Sequence, residues 1–258
     1  MSVRNYFDLS GRVAVVVGGT SGIGRTLALG LAAAGADVAA TGRRVDRVNE
    51  VASEIEVLGR RSLRAPCNVN ETASLEQFRD RCLDTFGKVD ILVAAAGTTI
   101  RVPSLQMSDD EWDRVLETNL TGVFRTCRTF GGPMVEQQYG RIITIASLSS
   151  FLGLYEVAAY TASKSGVAGL TRALAVEWAR YNVTVNAIAP GVFRTDLNAK
   201  LLDSPRGQEF LVRTPMGRFG QLEELVPAAV FLASEASGFV TGQVVGVDGG
   251  FLASGVNQ

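Results

Sequence analysis

Runs of Val, Ile and Ala that are apolar at every position alternate along this chain with segments whose apolar residues return every three to four positions. Val13–Val17 predicts a strand buried on both faces, and residues 22–34 predict a helix with Ile23, Leu27, Leu31 and Ala34 along one side. The alternation continues with a strand at 38–41, a helix at 46–58, a short third strand at 62–65 and a helix at 72–86. Beyond them the pattern predicts a strand at 90–94, a long helical stretch at 109–137, a strand at 141–146 and a helix at 158–180. A strand at 183–188, a helix at 222–234 and a last strand at 244–247 complete the series. Strands apolar on both faces and separated by helices predict a parallel sheet covered on both sides. The opening βαβαβ order predicts a doubly wound, Rossmann-type α/β fold, with residues 1–258 forming one domain. The least regular stretch, 191–221, is long for a connection, and 192–221 is expected to be a substrate lid.

Composition narrows the chemistry. With 258 residues and 47% hydrophobic content the chain can bury one large core. A net charge of -1 supplies no basic surface for nucleic acid or an acidic membrane, so neither is expected as a partner. No apolar run reaches the length of a membrane span, and residues 1–12 lack the apolar segment of a signal peptide. Cys67, Cys82 and Cys127 are too scattered for a metal knuckle or a disulfide framework, so reduced thiols in a cytoplasmic protein are expected. There is no histidine. That excludes a Ser-His-Asp triad, a His-ligated zinc and a His general acid, and no metal site is expected. Acid/base chemistry must then use Tyr, Lys, Cys or a carboxylate.

Two motifs carry that chemistry. Gly18-Gly19-Thr20-Ser21-Gly22-Ile23-Gly24 lies between the first strand and the first helix, with the spacing GxxxGxG. Such a turn frees backbone N–H groups at a helix N-terminus for a pyrophosphate, and Thr20 and Ser21 add hydroxyls. Tyr160 and Lys164 stand at i and i+4, which places them on one helix face about a turn apart. An ordinary phenol has a pKa of about 10. A neighbouring ammonium and an oxidised nicotinamide are expected to lower it into a working range. Ser147, just after a strand, can hold a substrate oxygen. Each motif alone also fits an ordinary turn or a solvated surface, and it is their combination that points to catalysis.

These residues identify the chain as resembling the short-chain dehydrogenase/reductase family over essentially its whole length. The landmarks are Gly18-x-x-x-Gly22-Ile23-Gly24, Asp90-Ile91-Leu92-Val93, Asn119, Ser147, Tyr160-x-x-x-Lys164, Asn186, Pro190-Gly191 and Gly249-Gly250. The resemblance implies that Tyr160 is the acid/base and that Ser147 polarises the carbonyl. It implies that Lys164 holds the nicotinamide ribose and lowers the tyrosine pKa, while Asn119 supports a water relay toward Lys164. Pro190, Gly191, Val192 and Thr195 would border the nicotinamide and phosphates. A homotetramer is also implied. The chain departs from the family at Ala94-Ala95-Ala96-Gly97, where Asn-Asn-Ala-Gly is usual, so only backbone contacts from Ala95, Ala96 and Gly97 are expected. Asn68 stands at a common Asp position, where its amide oxygen can accept from adenine beside the Val69 N–H.

The second strand ends at Thr41-Gly42-Arg43-Arg44, with no carboxylate to accept a ribose 2′-OH. An arginine there suits a 2′-phosphate, so NADP(H) is expected over NAD(H), with Arg43 and the Thr41 hydroxyl as contacts. Arg44 and Arg47 stand close by and can equally solvate the next helix. For the small-molecule substrate, 160–167, 186–191 and Arg213-Thr214-Pro215 resemble gluconate 5-dehydrogenase and other sugar-acid or polyol dehydrogenases. Arg101 falls where those relatives carry arginine and can meet a carboxylate. The stretch 215–220 equally resembles 3-oxoacyl-carrier-protein reductases. A non-catalytic dinucleotide-binding scaffold is the third reading, opposed by the intact Asn119, Ser147, Tyr160 and Lys164.

Overall fold

The computed structural model describes residues 5–195 and 198–255. The first four residues of the polar amino-terminal stretch, and two residues of the expected lid, lie outside that description. The first half runs β1 (Val13–Val17), α1 (Gly22–Ala33), β2 (Asp37–Thr41), α2 (Val45–Val57), α3 (Thr72–Phe86), β3 (Ile91–Ala94), α4 (Asp109–Leu116) and α5 (Gly122–Glu136). The second half runs β4 (Gly140–Ile145), α6 (Ala158–Trp178), β5 (Val183–Pro190), α7 (Ala199–Leu202), α8 (Pro205–Arg213), α9 (Val226–Ala233) and β6 (Val244–Val247). The strands form one six-stranded sheet in the order β2-β1-β3-β4-β5-β6. Every pairing in it is parallel.

The strand period of two explains why β1 is apolar throughout. Val13, Val15 and Val17 face a core built with Phe78 of α3, Phe130 of α5 and Val167 of α6. Ala14 and Val16 face the opposite core, with Leu27 and Leu31 of α1, Ile55 of α2 and Leu232 of α9. The doubly wound expectation is therefore met. At the amino ends of the strands the buried Asp90 carboxylate accepts the Val13 N–H at 2.8 Å and pairs with Arg12 and Lys88. At the carboxyl ends the loops after β1, β3, β4 and β5 converge. With β2 on one side of β1 and β3 on the other, the chain changes winding direction there, where a doubly wound sheet leaves a crevice.

The expected third strand does not form. Between Ser62 and Ala65 only Ser62 makes a bridge, to Val38. The segment is tied at its two ends instead, by Val38 N–H to Arg61 carbonyl and by Cys67 N–H to Gly42 carbonyl. The long helix expected at 109–137 is interrupted by a π turn at Glu117–Thr121. The helix expected at 222–234 begins as a 3-10 turn, Leu222–Leu225, before α9. The stretch 191–221 is more regular than its composition suggests, because it holds α7 and α8. Its two ends meet, with the Gly220 N–H donating to the Val192 carbonyl at 2.9 Å. Among the described residues no helix is long and apolar enough to cross a membrane.

Candidate active site

The glycine loop is shaped by contact with its neighbours. Gly18 lies in the left-handed region at φ 84°, and a Cβ on it would stand 2.4 Å from the Ala96 nitrogen. A Cβ on Gly24 would stand 2.1 Å from the Gly18 carbonyl oxygen, so the first turn of α1 packs on the loop that precedes it. Ser21 is the N-cap of α1 but its side chain caps nothing, and the first turn holds no acidic residue. The helix therefore opens with free N–H groups and an uncommitted hydroxyl, as an anionic pyrophosphate requires. Thr20, Gly22 and Ile23 complete this turn, and the Thr195 methyl would meet a Cβ on Gly22 at 3.6 Å. Ala95 is fixed by its N–H to the Val17 carbonyl at 2.8 Å. Gly191, after Pro190, is fixed by its N–H to the Val247 carbonyl at 2.9 Å, and Val192 accepts from Gly220. Thr195 spends both its N–H and its hydroxyl on Asn198 Oδ1.

The adenosine side is sorted by what each arginine touches. Arg47 pairs with Glu50 at 2.9 Å and belongs to the solvated helix. Arg43 is exposed and has no ion pair among the described residues, as a phosphate-binding arginine should be before ligand arrives. The Thr41 hydroxyl is not available as expected: Thr41 is fully buried and donates to the Ala65 carbonyl at 2.6 Å. Gly42 packs against Thr20, whose Oγ1 would lie 2.7 Å from an added Cβ. Asn68 is partly committed, its amide donating to Glu71 and its oxygen accepting from the Asn70 N–H, with a second lone pair left over. Val69 is buried beside it. The residues present thus fit a dinucleotide, with the phosphate cradle made of backbone and the arginine free.

Asn119, Ser147, Tyr160 and Lys164 come together at the carboxyl edge of the sheet. Asn119 sits inside the π turn, and its amide donates to the Thr98 carbonyl at 2.8 Å and to Ser163 Oγ at 3.2 Å. Its Oδ1 accepts the Thr98 N–H at 2.7 Å. The wider turn thus aims one buried amide at the loop after β3, a use to which π turns are often put. Ser147 caps the 3-10 turn after β4 and accepts from the Ser149 N–H at 3.1 Å. Lys164 is 4% exposed, and its ammonium donates to the Ile145 carbonyl at 2.6 Å. A Cβ on Gly97 would stand 3.6 Å from Asn119 Oδ1 and 3.9 Å from Lys164 Nζ, so the cofactor edge and the catalytic edge are the same place.

Burial dominates the electrostatics of both Tyr160 and Lys164. Burial pushes the Tyr160 phenol up from its ordinary value, and a hydrogen bond from Ser147 works against that without reversing it. The ammonium lies 5.7 Å from the centre of the tyrosine ring, and is itself destabilised. Burial brings the Lys164 pKa down to about 8. Loss of hydration is the dominant influence on both groups.

Sequence reasoning missed the partners that hold these groups. Ser163, next to Lys164, bridges the Asn119 amide and the Tyr160 carbonyl. Thr98 and the Ile145 carbonyl are equally necessary, but backbone partners leave no mark in a sequence. Arg101 is brought to the rim, where Glu156 already neutralises it at 2.8 Å.

Comparison with known proteins agrees with this geometry. The family model described as enoyl-(acyl carrier protein) reductase matches residues 17–252. The chain is 41% identical to 2-dehydro-3-deoxy-D-gluconate 5-dehydrogenase of Dickeya dadantii, covering 97% of this chain and 99% of that one. It is 38% identical to D-threitol dehydrogenase of Mycolicibacterium smegmatis, covering 97% and 96%. A crystal structure of gluconate 5-dehydrogenase from Burkholderia cenocepacia, in complex with NADP and tartrate, is 38% identical and superposes with a TM-score of 0.94 over 97% of this chain and 99% of that one. The glycine loop, the Tyr160–Lys164 pair and this full-length similarity together mean that the chain belongs to the short-chain dehydrogenase/reductase family.

Proposed function

We propose that this enzyme moves a hydride between NADP(H) and the secondary alcohol or ketone of a sugar acid or polyol. The observation that carries the catalytic reading is the buried Lys164 ammonium beside Tyr160 and Gly97, an arrangement a mere scaffold has no reason to maintain. Relatives named as sugar-acid and polyol dehydrogenases support the substrate class, and the NADP in a close structural neighbour supports the cofactor. A homotetramer, supported by the family resemblance, and a cytoplasmic location, supported by the free buried thiols of Cys67, Cys82 and Cys127, are part of the same reading. Light scattering on the purified protein tests the first.

Bound cofactor supplies the hydride in reduction and accepts it in oxidation. Ser147 donates its hydroxyl to the carbonyl oxygen. Tyr160 gives its phenolic proton to that oxygen as the carbon is reduced, and takes it back in the reverse direction. Lys164 stabilises the phenolate left behind, and Asn119 fixes the loop that carries Gly97. The segment 192–221 is the proposed lid, supported by its origin at the end of β5 beside Gly191. It should resist protease better with NADP+ and substrate than without. Measuring cofactor turnover with gluconate, neutral polyols, simple ketones and a 3-oxoacyl thioester tests the function directly. Turnover confined to the thioester would replace the sugar reading.

Tyr160→Phe keeps the ring and removes the proton. Turnover should fall by at least about a hundredfold while NADP(H) affinity barely changes, as read by steady-state kinetics and cofactor titration. Wild-type turnover in this variant would refute the mechanism.

Lys164 should set an alkaline limb. Its charge is lost as pH rises through about 8, so kcat/KM for ketone reduction should hold below that pH and fall above it. In Lys164→Ala the limb near pH 8 should vanish, with lower activity throughout and weaker cofactor binding. A profile identical to wild type would reduce Lys164 to a packing role.

Arg43→Ala should weaken NADP(H) by about 1.5 kcal/mol, the low end for a charge-assisted hydrogen bond because the side chain is exposed, and leave NAD(H) nearly untouched. Gly42→Asp should invert the preference further, at the expense of displacing the Thr20 side chain. The ratio of kcat/KM for the two cofactors reads both. Equal losses for the two cofactors in Arg43→Ala would return Arg43 to the helix surface.

A further inference from the structure

Two arginines reach the same pair of residues at the rim of the cleft. Tyr155 and Glu156 lie between Ser147 and Tyr160, on the wall that carries the catalytic tyrosine. Arg101, on the stretch after Gly97, places Nε and NH2 each 2.8 Å from Glu156 Oε2. Arg206, near the start of α8, donates NH2 to the Tyr155 carbonyl at 2.8 Å. Its guanidinium lies 5.9 Å from the ring centres of both Tyr155 and Phe210.

The two differ in what they have left to give. The charge of Arg101 is already met by a carboxylate. No ion pair involves Arg206 among the described residues, and its NH1 nitrogen is shut off from solvent without any hydrogen-bond partner. A guanidinium is always charged, and its planar fork matches a carboxylate. A buried nitrogen of such a group is rarely left idle unless a ligand completes it. Its position adds to this. The adjacent NH2 bonds to the wall bearing Tyr160, whereas the helix bearing Arg206 belongs to the segment that follows Gly191 and Thr195. The idle nitrogen is therefore held at the contact between the stretch that precedes Tyr160 and α8.

We propose that Arg206, and not Arg101, receives the carboxylate of an acidic substrate, while Glu156 keeps Arg101 neutralised. Arg206 is then the residue that separates sugar acids from neutral polyols. The proposal rests on the sugar-acid reading for its substrate and on the idle NH1 for its site.

The test compares D-gluconate with the neutral polyol sorbitol, using NADP+ and the variants Arg206→Gln and Arg101→Gln. Arg206→Gln should lower kcat/KM for gluconate by at least about tenfold, mainly through KM, and change sorbitol less than about threefold. Arg206→Lys, which keeps the charge without the fork, should fall between wild type and Gln. Arg101→Gln should change both substrates by a similar factor. An equal loss on both substrates in Arg206→Gln would make the residue a latch between walls and overturn the proposal, as would a gluconate-selective loss in Arg101→Gln. Calorimetric titration of tartrate into the NADP+-loaded proteins reads the same site without turnover. Weaker tartrate binding in Arg206→Gln supports the site; equal affinity, or no binding to wild type, overturns it. A wild type that oxidises neither gluconate nor sorbitol would instead remove the proposed function, and the titration would still judge Arg206.

Discussion

No side chain fits between Gly18 and Ala96. A methyl group on Gly18 would press to 2.4 Å against a backbone nitrogen, and Gly24 is just as confined against Gly18. The loops after β1 and β3 can therefore lie backbone against backbone at the point where the sheet reverses its winding. That contact sets the depth of the crevice. The same loop after β3 continues into Gly97, where an added Cβ would lie 3.6 Å from Asn119 Oδ1 and 3.9 Å from Lys164 Nζ, and Thr98, which locks Asn119 by two hydrogen bonds. The glycine loop and the surroundings of Asn119 and Lys164 are thus positioned by one short run of backbone. It also explains why losing the usual asparagines at Ala94 and Ala95 is tolerable, since the geometry is carried by main-chain bonds such as Ala95 N–H to Val17 carbonyl.

The buried ammonium of Lys164 is the chief cost of this arrangement. Its pKa is brought from 10.5 to about 8, so the unfolded chain holds more protons than the folded one between those values. Stability should accordingly be lowest, as far as this group is concerned, below about pH 8, and should recover as pH rises toward 10.5. The burden is on the order of 3 kcal/mol for a shift of that size. A single carbonyl bond from Ile145 offsets only part of it. The ammonium pushed down is in an unfavourable state alone, whereas the phenol pushed up is held neutral. In the proposed reaction a phenolate developing on Tyr160 would make the ammonium favourable.

Much of this was legible in the sequence, and the pattern of what was not is physical. Period-two and period-three-and-a-half repeats located β1, α1, α3 and β6 closely, because these elements are apolar where they face a core. The false strand at 62–65 has the right residues, but the Thr41 hydroxyl and the end contacts at Arg61 and Cys67 take the bonds a ladder would need. Glycine and proline punctuation made 191–221 look structureless, although α8 carries an amphipathic sequence opened by Pro205. The proposed catalytic residues Asn119, Ser147, Tyr160 and Lys164 were legible because side-chain type marks them in a sequence. The carbonyls of Ile145 and Tyr155 and the Thr98 backbone were not, because any residue has a carbonyl. The burial of Tyr160 was hidden for a different reason: spacing reveals a neighbouring charge but not the desolvation that acts on the phenol.

Glu156 shows how the substrate side is made rigid without glycine. Its backbone lies in the left-handed region at φ 63°, a conformation that costs a residue with a Cβ about 1–2 kcal/mol. Two interactions hold it there. Its carbonyl accepts the Val102 N–H at 2.9 Å and its carboxylate takes Arg101, so backbone and side chain tie it to the same stretch after Gly97. The wall that presents Tyr160 is consequently braced against the loop that presents Gly97, and neither can shift without the other. On its other side this braced wall meets α8 through Arg206, whose residues belong to a segment closed at its base by Gly220 and Val192. The wall that carries Tyr160 is thus tied on one side to the loop after β3 and on the other to α8, which is the side to which the proposed role of Arg206 assigns the substrate's far end.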